Sequence, residues 1–319
     1  MTTTHIDSPS VPPIIDLFSG CGGMSLGLGN AGLDVIAGYD NWELAVTTYN
    51  ANLDHEAHVL DLSDVDTTIA ELSRHVREDG SFPAIVGGPP CQDFSAAGKQ
   101  VSAGRADLTT KFSRLITHFR PPFFVMENVP RAFTATVYQE SLDHMRENGY
   151  TIITKVLDSS LCGVPQKRKR LIAFGSLDPD MPERVLNWWE DNLSEKPMSM
   201  RDHFGDRLNT EHFYHTPRNY NRRAVFSVDS PSPTIRGVNR KIAPGYPGHH
   251  GDSAPIDQCR ALTTPERGEV QTFPADYTWV GAKTHVEQMI GNAVPVNLGS
   301  FIGRSIIDAY SEAPGNGDT

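Results

Sequence analysis

Residues 14–40, IIDLFSGCGGMSLGLGNAGLDVIAGYD, decide the fold class. Residues 14–18 are a short apolar run, the mark of a buried strand. The turn Ser19-Gly20-Cys21-Gly22-Gly23 follows, then a helical stretch over 24–31 that Gly32 ends. A second apolar segment, 35–39, runs into Asp40, and a helix is predicted to begin near Trp42. The alternation continues outward from this unit. Strands are expected at 84–86, before Gly87-Gly88, and at 123–126, before Glu127, with a helix over 108–119 between them. Residues 151–157 are expected to pair with 171–174. Crossover-length helices between apolar strands predict a mostly parallel, doubly wound α/β sheet.

A glycine-rich turn after the first strand, with an acid closing the second, is the arrangement that binds an adenosine-type cofactor. Asp40 would bridge the ribose hydroxyls, and Asp61 would accept from the adenine amino group. Ser25 stands where the last glycine of GxGxxG would be. That favours a cofactor without a pyrophosphate over a nicotinamide dinucleotide; the same glycines would equally serve tight turns alone. Gly88-Pro89-Pro90-Cys91-Gln92 follows a strand and puts Cys91 at the carboxyl edge of the sheet, with Glu127-Asn128 at the same edge. A thiol beside a carboxyl suits covalent catalysis; a buried packing cysteine is common in general, but a Pro-Pro-Cys-Gln turn is a poor core element.

The chain has 319 residues, 38% hydrophobic and 21% charged, enough for a large core and a smaller satellite. No apolar run approaches the roughly 18–20 residues of a membrane span, and residues 1–12 lack the features of a secretory signal, so a cytoplasmic protein is expected. Four cysteines without a CxxC pair argue against structural zinc and a disulfide framework. The net charge of −11 opposes a nucleic-acid partner, but its distribution does not: residues 199–241 hold eight bases and four acids, a local +4, and Lys167-Arg168-Lys169-Arg170 is a second basic run. These segments fit either a polyanion in a cleft or a solvated surface. After Gly175 helical periodicity is lost and turns such as SPSP (230–233) and PGYPG (244–248) appear. The expected division is a catalytic domain of residues 1–180 plus 282–319 and an irregular domain of 181–281. His212, His215, His249 and His250 have no ligand spacing, and no metal is expected.

The stretches DLFSGCGGMSLGL, GGPPCQDFSAAGKQ, FFVMENVPR, GVPQKRKRLIAFG, ALTTPERGEVQTFPADY and QMIGNAVPVNLG occur in this order, and the chain resembles the DNA cytosine carbon-5 methyltransferases. The resemblance implies a Rossmann-like methyltransferase fold and S-adenosylmethionine as cofactor. It implies Cys91 as the nucleophile adding to carbon 6 of cytosine and Glu127 as the group on ring nitrogen 3. Arg168 and Arg170 would orient Glu127 and contact the base oxygen, with Gln166 supporting the backbone. Phe18 would lie on the adenine, and Gly20, Cys21, Gly22 and Gly23 would admit the methionine part. Asp40, Asn41, Asp61, Leu62, Pro90, Leu108, Gly291, Asn292 and Ala293 would complete the pocket. The sequence departs from the family where a bulky residue is usual after the ribose acid, having Asn41 there and Trp42 one place later; it also has Gly104-Arg105-Ala106-Asp107 in place of Asp-x-Arg.

A base inside a duplex cannot present its ring face to a thiol, so the target must be flipped out. Residues 92–107 would close over it, with Gln92, Ser95, Lys99 and Arg105 toward DNA. The basic segment becomes the target-recognition region, with Arg222, Arg223, Arg236, Asn239 and Arg240 available to base edges or phosphates. Thr234 sits in a short element such regions carry. The expected enzyme is a monomeric modification methyltransferase of a bacterial or phage-infected cell, acting on double-stranded DNA beside an independent restriction endonuclease. An RNA cytosine methyltransferase and a catalytically silent DNA-binding protein are the alternatives.

Overall fold

The computed structural model describes residues 11–90, 108–219 and 221–312. Strand β1 (Ile14–Leu17) is buried at all four positions, as a central parallel strand covered on both faces must be. It leads into α1 (Gly23–Ala31), which Gly32 ends in the left-handed region at φ 100°. There follow β2 (Val35–Asp40), α2 (Glu43–Asn50), β3 (Ala57–Val59), α3 (Val65–Leu72), β4 (Ala84–Gly87), α4 (Leu108–Phe119), β5 (Phe123–Asn128), α5 (Thr136–Glu147) and β6 (Thr151–Asp158). After a two-residue strand β7 (Gln166–Lys167), β8 (Lys169–Ser176) enters the sheet between β5 and β6. The strand order is β3-β2-β1-β4-β5-β8-β6, with β8 antiparallel to both neighbours and the other pairs parallel. The doubly wound expectation therefore holds, with a reversed strand near one edge. Chain direction across the sheet switches between β1 and β4, where open α/β sheets leave a crevice at the carboxyl ends.

Beyond the sheet come α6 (Met181–Asn192), α7 (Met200–Phe204), β9 (His212–Tyr214), β10 (Val225–Ser227), β11 (Ser232–Pro233), β12 (Arg260–Ala261), α8 (Thr264–Val270), α9 (Lys283–Asn292) and α10 (Val296–Ser311). The loss of helical periodicity expected after Gly175 is not what is found. Helix α6 buries Met181, Val185 and Trp189 at four-residue intervals in the core on one face of the main sheet, and Trp189 Nε1 donates to Ser305 Oγ of α10 at 2.9 Å. Helices α7 and α8 each start with a capping box, Ser199 with Asp202 and Thr263 with Glu266, which stabilises helices of only one or two turns. A separate apolar cluster, with Phe213, Phe226, Ile235 and Leu262 from the irregular region, also takes in Met289 and Ile290 of α9. No helix among the described residues is long and apolar enough to cross a membrane.

Helix α1, GMSLGLGNA, is glycine-rich and weak in intrinsic propensity, so packing must hold it. That packing is backbone to backbone against α10. A Cβ on Gly27 would stand 2.3 Å from Val296 O and 2.8 Å from Gly299 Cα, and Ser300 Oγ donates to Gly27 O at 2.9 Å. Gly29, two residues on, faces open space. Gly27→Ala is expected to lower unfolding free energy by about 1–3 kcal/mol through overpacking. Gly29→Ala is expected to be neutral or to gain up to about 1 kcal/mol from helix propensity. Urea denaturation of the two variants in parallel separates the close approach from a general dislike of alanine in this helix.

Candidate active site

The turn after β1 is bent by residues in unusual conformations. Phe18 has φ 60° and Gly20 φ 53°; for a bulky phenylalanine this region is strained and must be held by its surroundings. Ser19 N–H donates to Tyr39 O at 3.0 Å. Gly20 N–H donates to Asp40 Oδ2 at 2.9 Å, and Trp42 N–H to Asp40 Oδ1 at 2.8 Å. Asp40 thus ties the glycine turn to the end of β2. Its carboxyl is raised above the ordinary range by burial, which these backbone donors oppose. Gly22, at φ 90°, does not border the cleft described below: a Cβ there would come within 2.7 Å of Leu53 Cδ1. Cys21 is buried against the second core, and burial pushes its thiol up to about 12, so it stays protonated.

A cleft of about 1450 Å³ opens at the carboxyl ends of β1, β2, β4 and β5, larger than the roughly 300–1,000 Å³ of one drug-sized ligand. Its walls bring together Phe18, Gly20, Cys21, Gly23, Asp40, Asn41, Asp61, Leu62, Pro90, Leu108, Glu127, Arg168, Arg170, Gly291, Asn292 and Ala293, residues spread over most of the chain. Trp42, His285, Gln288, Met289 and Asp16 also border it and escaped the sequence reading. Trp42 meets His285 edge to face, with ring centroids 6.4 Å apart. The displaced aromatic after Asp40 and the QMIGNAVPVNLG stretch that Gln288 opens were the available signals for this wall; nothing in the sequence marks His285.

Asp16 is the unexpected charge. It is 1% exposed, and both the hydroxyl (2.6 Å) and the N–H of Ser25 donate to it. Ser25 Oγ in turn accepts from Tyr49 OH at 2.9 Å, and that phenol lies 2.6 Å from His55 Nε2. Burial pushes the Asp16 carboxyl up to about 7. The serine in the place of the last glycine is therefore the donor to this acid.

Glu127 closes β5, and Arg170 lies on β8 beside it. The antiparallel register sets Glu127 opposite Ile172 and Asn128 opposite Leu171, and Arg170 Nε reaches Glu127 Oε1 at 2.5 Å, both side chains mostly buried. Gly88 faces the other oxygen, since a Cβ there would stand 3.1 Å from Glu127 Oε2. Asn128 Nδ2 donates to Pro89 O at 3.2 Å and joins the loop after β4 to the end of β5. Arg168, expected beside Glu127, has different hydrogen-bond partners. Two residues back, it is 2% exposed and donates to Ile235 O (3.1 Å), Gly291 O (3.0 Å) and Ala293 O (3.0 Å). Gln166, fully buried, accepts from Ile235 N–H at 2.7 Å and donates to Gln271 Oε1 at 2.6 Å. Cys91, Gln92, Ser95, Lys99 and Arg105 lie outside the described residues.

In the basic region Arg222 and Arg240 are exposed, and Arg223, also exposed, stacks over Phe226 at 4.1 Å. Arg236 donates to Thr216 O, and Arg218, Arg240 and Arg267 crowd it with like charge. Asn239 faces inward, donating to Leu262 O and Glu287 Oε1, so its amide is committed to the fold. Among the described residues no group of three or more His, Cys, Asp or Glu could hold a metal ion.

Residues 13–308 match the model of the C-5 cytosine-specific DNA methylases. The chain is similar to Type II methyltransferase M.HgiDI of Herpetosiphon aurantiacus, 45% identical over 94% of this chain and 95% of that protein. It is 44% identical to Type II methyltransferase M.HindV of Haemophilus influenzae, over 93% and 97% of the two chains. Its fold is similar to that of the Entamoeba histolytica methyltransferase EhMeth, with a TM-score of 0.68 at 17% identity over 94% of this chain and 98% of the other. Against S. pombe Dnmt2 methyltransferase the TM-score is 0.65 at 17% identity, over 93% and 98%.

The elevated Asp16 acid has a pH consequence. Its folded value of about 7 lies above the ordinary 3.8, so the native state keeps a proton that the unfolded chain gives up. The stability this contributes is complete below about pH 4 and is lost as pH rises toward 7. Asp16→Asn, which keeps an oxygen acceptor for Ser25, is expected to flatten the fall in unfolding free energy across that window by a few kcal/mol relative to wild type. Urea titrations at pH 4, 5.5 and 7 check this, and parallel curves for the two proteins would refute it.

Proposed function

Because the chain belongs to the C-5 cytosine-specific DNA methylase family, we propose that it methylates carbon 5 of a flipped-out cytosine at a specific sequence in duplex DNA. It would act as a monomeric Type II modification enzyme beside a cognate restriction endonuclease. The observation that carries the reading is the Glu127–Arg170 pair, 2.5 Å apart, in the same cleft as the Asp40-tethered glycine turn. One end of this cleft suits a nucleoside cofactor and the other a base.

The cleft fits S-adenosylmethionine. Ser19 Oγ is buried there without a partner among the described residues, Gly20 leaves open space where a Cβ would be, and Asp40 borders the same cleft. When bound, the cofactor supplies a sulfonium-activated methyl group. Asp40 would hold the ribose hydroxyls, Asp61 the adenine amino group, and the Asn292-Ala293 turn the pocket's rim.

The protein's own residues must make cytosine reactive, because carbon 5 of the aromatic ring is a weak nucleophile. Cys91, directly after Pro90, adds as thiolate to carbon 6 while Glu127 delivers a proton to nitrogen 3, leaving an enamine whose electron density sits on carbon 5. Arg170 holds the Glu127 carboxyl by one oxygen and leaves the other toward Gly88, where a ring nitrogen can reach it. Once carbon 5 carries the methyl, a base takes the carbon 5 proton, the Cys91 sulfur leaves as thiolate, and nitrogen 3 returns its proton to Glu127, which restores the aromatic ring. Arg168 supports this by fixing the end of α9 that borders the cleft and the backbone at Ile235.

Labelled-methyl transfer to mixed-sequence duplex DNA and to total transfer RNA tests the reading. Label in DNA at one sequence context, absent with Cys91→Ser, is the expected result. Glu127→Gln should lower turnover by about 10²–10⁴-fold with cofactor binding retained. Label confined to RNA would overturn the substrate, and no transfer to either would overturn the activity.

A further inference from the structure

Residues 234–239 run from β11 to the recognition arginines and lie flat on α9, the helix whose end borders the cleft. The contact is at backbone distance. A Cβ on Gly291 would stand 2.1 Å from Gly237 N, and one on Gly237 would stand 3.1 Å from Gln288 Cα. A buried ion pair grips this strap from the side. Arg267 Nε lies 2.6 Å from Glu287 Oε2, with side chains 5% and 3% exposed. Arg267 Nη2 donates to Arg236 O at 2.5 Å and to Val238 O at 3.4 Å. Glu287 Oε1 accepts from Asn239 Nδ2 at 2.9 Å and from Thr264 Oγ1 at 2.7 Å. The cation therefore holds the strap's carbonyls at 236 and 238, and the anion holds its side chain at 239.

We propose that Arg267 and Glu287 are positioning residues for target recognition, setting the height and register of the strap so that Arg236 and Arg240 meet DNA at a fixed distance from the base site. The proposal rests on the DNA methyltransferase reading. A buried ion pair adds little stability over an apolar pair of the same volume, so its use here calls for a directional role. Side chains that read a partner must be held within about 0.5 Å, which a surface strap does not achieve unaided. The pair's forked geometry supplies that hold, because Arg267 bonds the strap at 236 and 238 while Glu287 bonds it at 239 and is itself fixed by Thr264.

The test uses the full chain carrying Arg267→Met with Glu287→Leu, which keeps the core neutral and filled. Arg267→Lys, which keeps the charge and loses the fork, carries the same measurements if the double variant does not fold. Amide hydrogen exchange at 236–240 is expected to quicken about tenfold or more while the sheet is unchanged. The KM for cognate duplex should rise, and discrimination against one-base-altered duplexes fall, by about tenfold. Saturating kcat and S-adenosylmethionine affinity should stay within about twofold of wild type. Unchanged exchange overturns the positioning role even if the wild type methylates DNA. Quickened exchange with unchanged KM and discrimination reduces the pair to a structural one and overturns it too. A wild type that methylates no duplex defeats the function reading, and this role falls with it whatever the exchange shows.

Discussion

A guanidinium buried with no carboxylate in contact among the described residues is the constraint around which the molecule is arranged. Arg168 donates to the carbonyls of Ile235, Gly291 and Ala293. Two of these belong to the end of α9, where helix carbonyls have no intrahelical partner and the helix dipole is negative. One side chain thereby satisfies the end of a helix and finds compensation for its own charge. Burial pulls its pKa down to about 9, which still leaves it protonated at neutral pH. Because the third carbonyl lies in the irregular region, the same group joins the main sheet, the rim of the cofactor end and the approach to the recognition strap. Gln166 repeats the device with neutral groups two residues earlier, bridging Ile235 to Gln271.

The rest of the site follows from strand ends. Asp40 closes β2 and pulls the glycine turn of β1 toward it, while Glu127 closes β5 and is held by Arg170 on the reversed strand β8. Asp40 is held through both oxygens, by the N–H groups of Gly20 and Trp42, and Glu127 through one, and the two acids share one crevice because the chain's crossing order leaves a gap between β1 and β4. A fully parallel sheet would have started β8 at the opposite edge and carried Arg170 away from Glu127.

The sheet was legible in the sequence because its central strands are mostly apolar runs, broken in β1 by Asp16 alone, and β2 and β4 stop at an acid and a glycine, Asp40 and Gly87. The helices outside it were less so. Met181, Val185 and Trp189 are spaced as a helix face, but charged and polar residues around them hide the pattern, and only the partner surface on α10 makes it meaningful. Lys167 to Arg170 reads as one basic run, yet strand alternation exposes the lysines and turns the arginines inward. Their different partners, a carboxylate for Arg170 and carbonyls for Arg168, depend on tertiary register that composition does not carry. Arg267 and Glu287 are twenty residues apart with no shared motif, and Asn239 looks like a free base-reading amide until its inward neighbours are known.

The packing of α1 on α10 joins the beginning of the fold to its last described helix. A nascent chain must bring residues 294–300 out of the ribosome before Gly23 and Gly27 find the backbone they lie against. Until then the glycine turn has no rigid floor, whatever the state of the strands between. The seat of the glycine turn is thus completed only after every strand of the sheet has been made, and a chain cut short before α10 would hold the Glu127–Arg170 pair without a settled glycine turn.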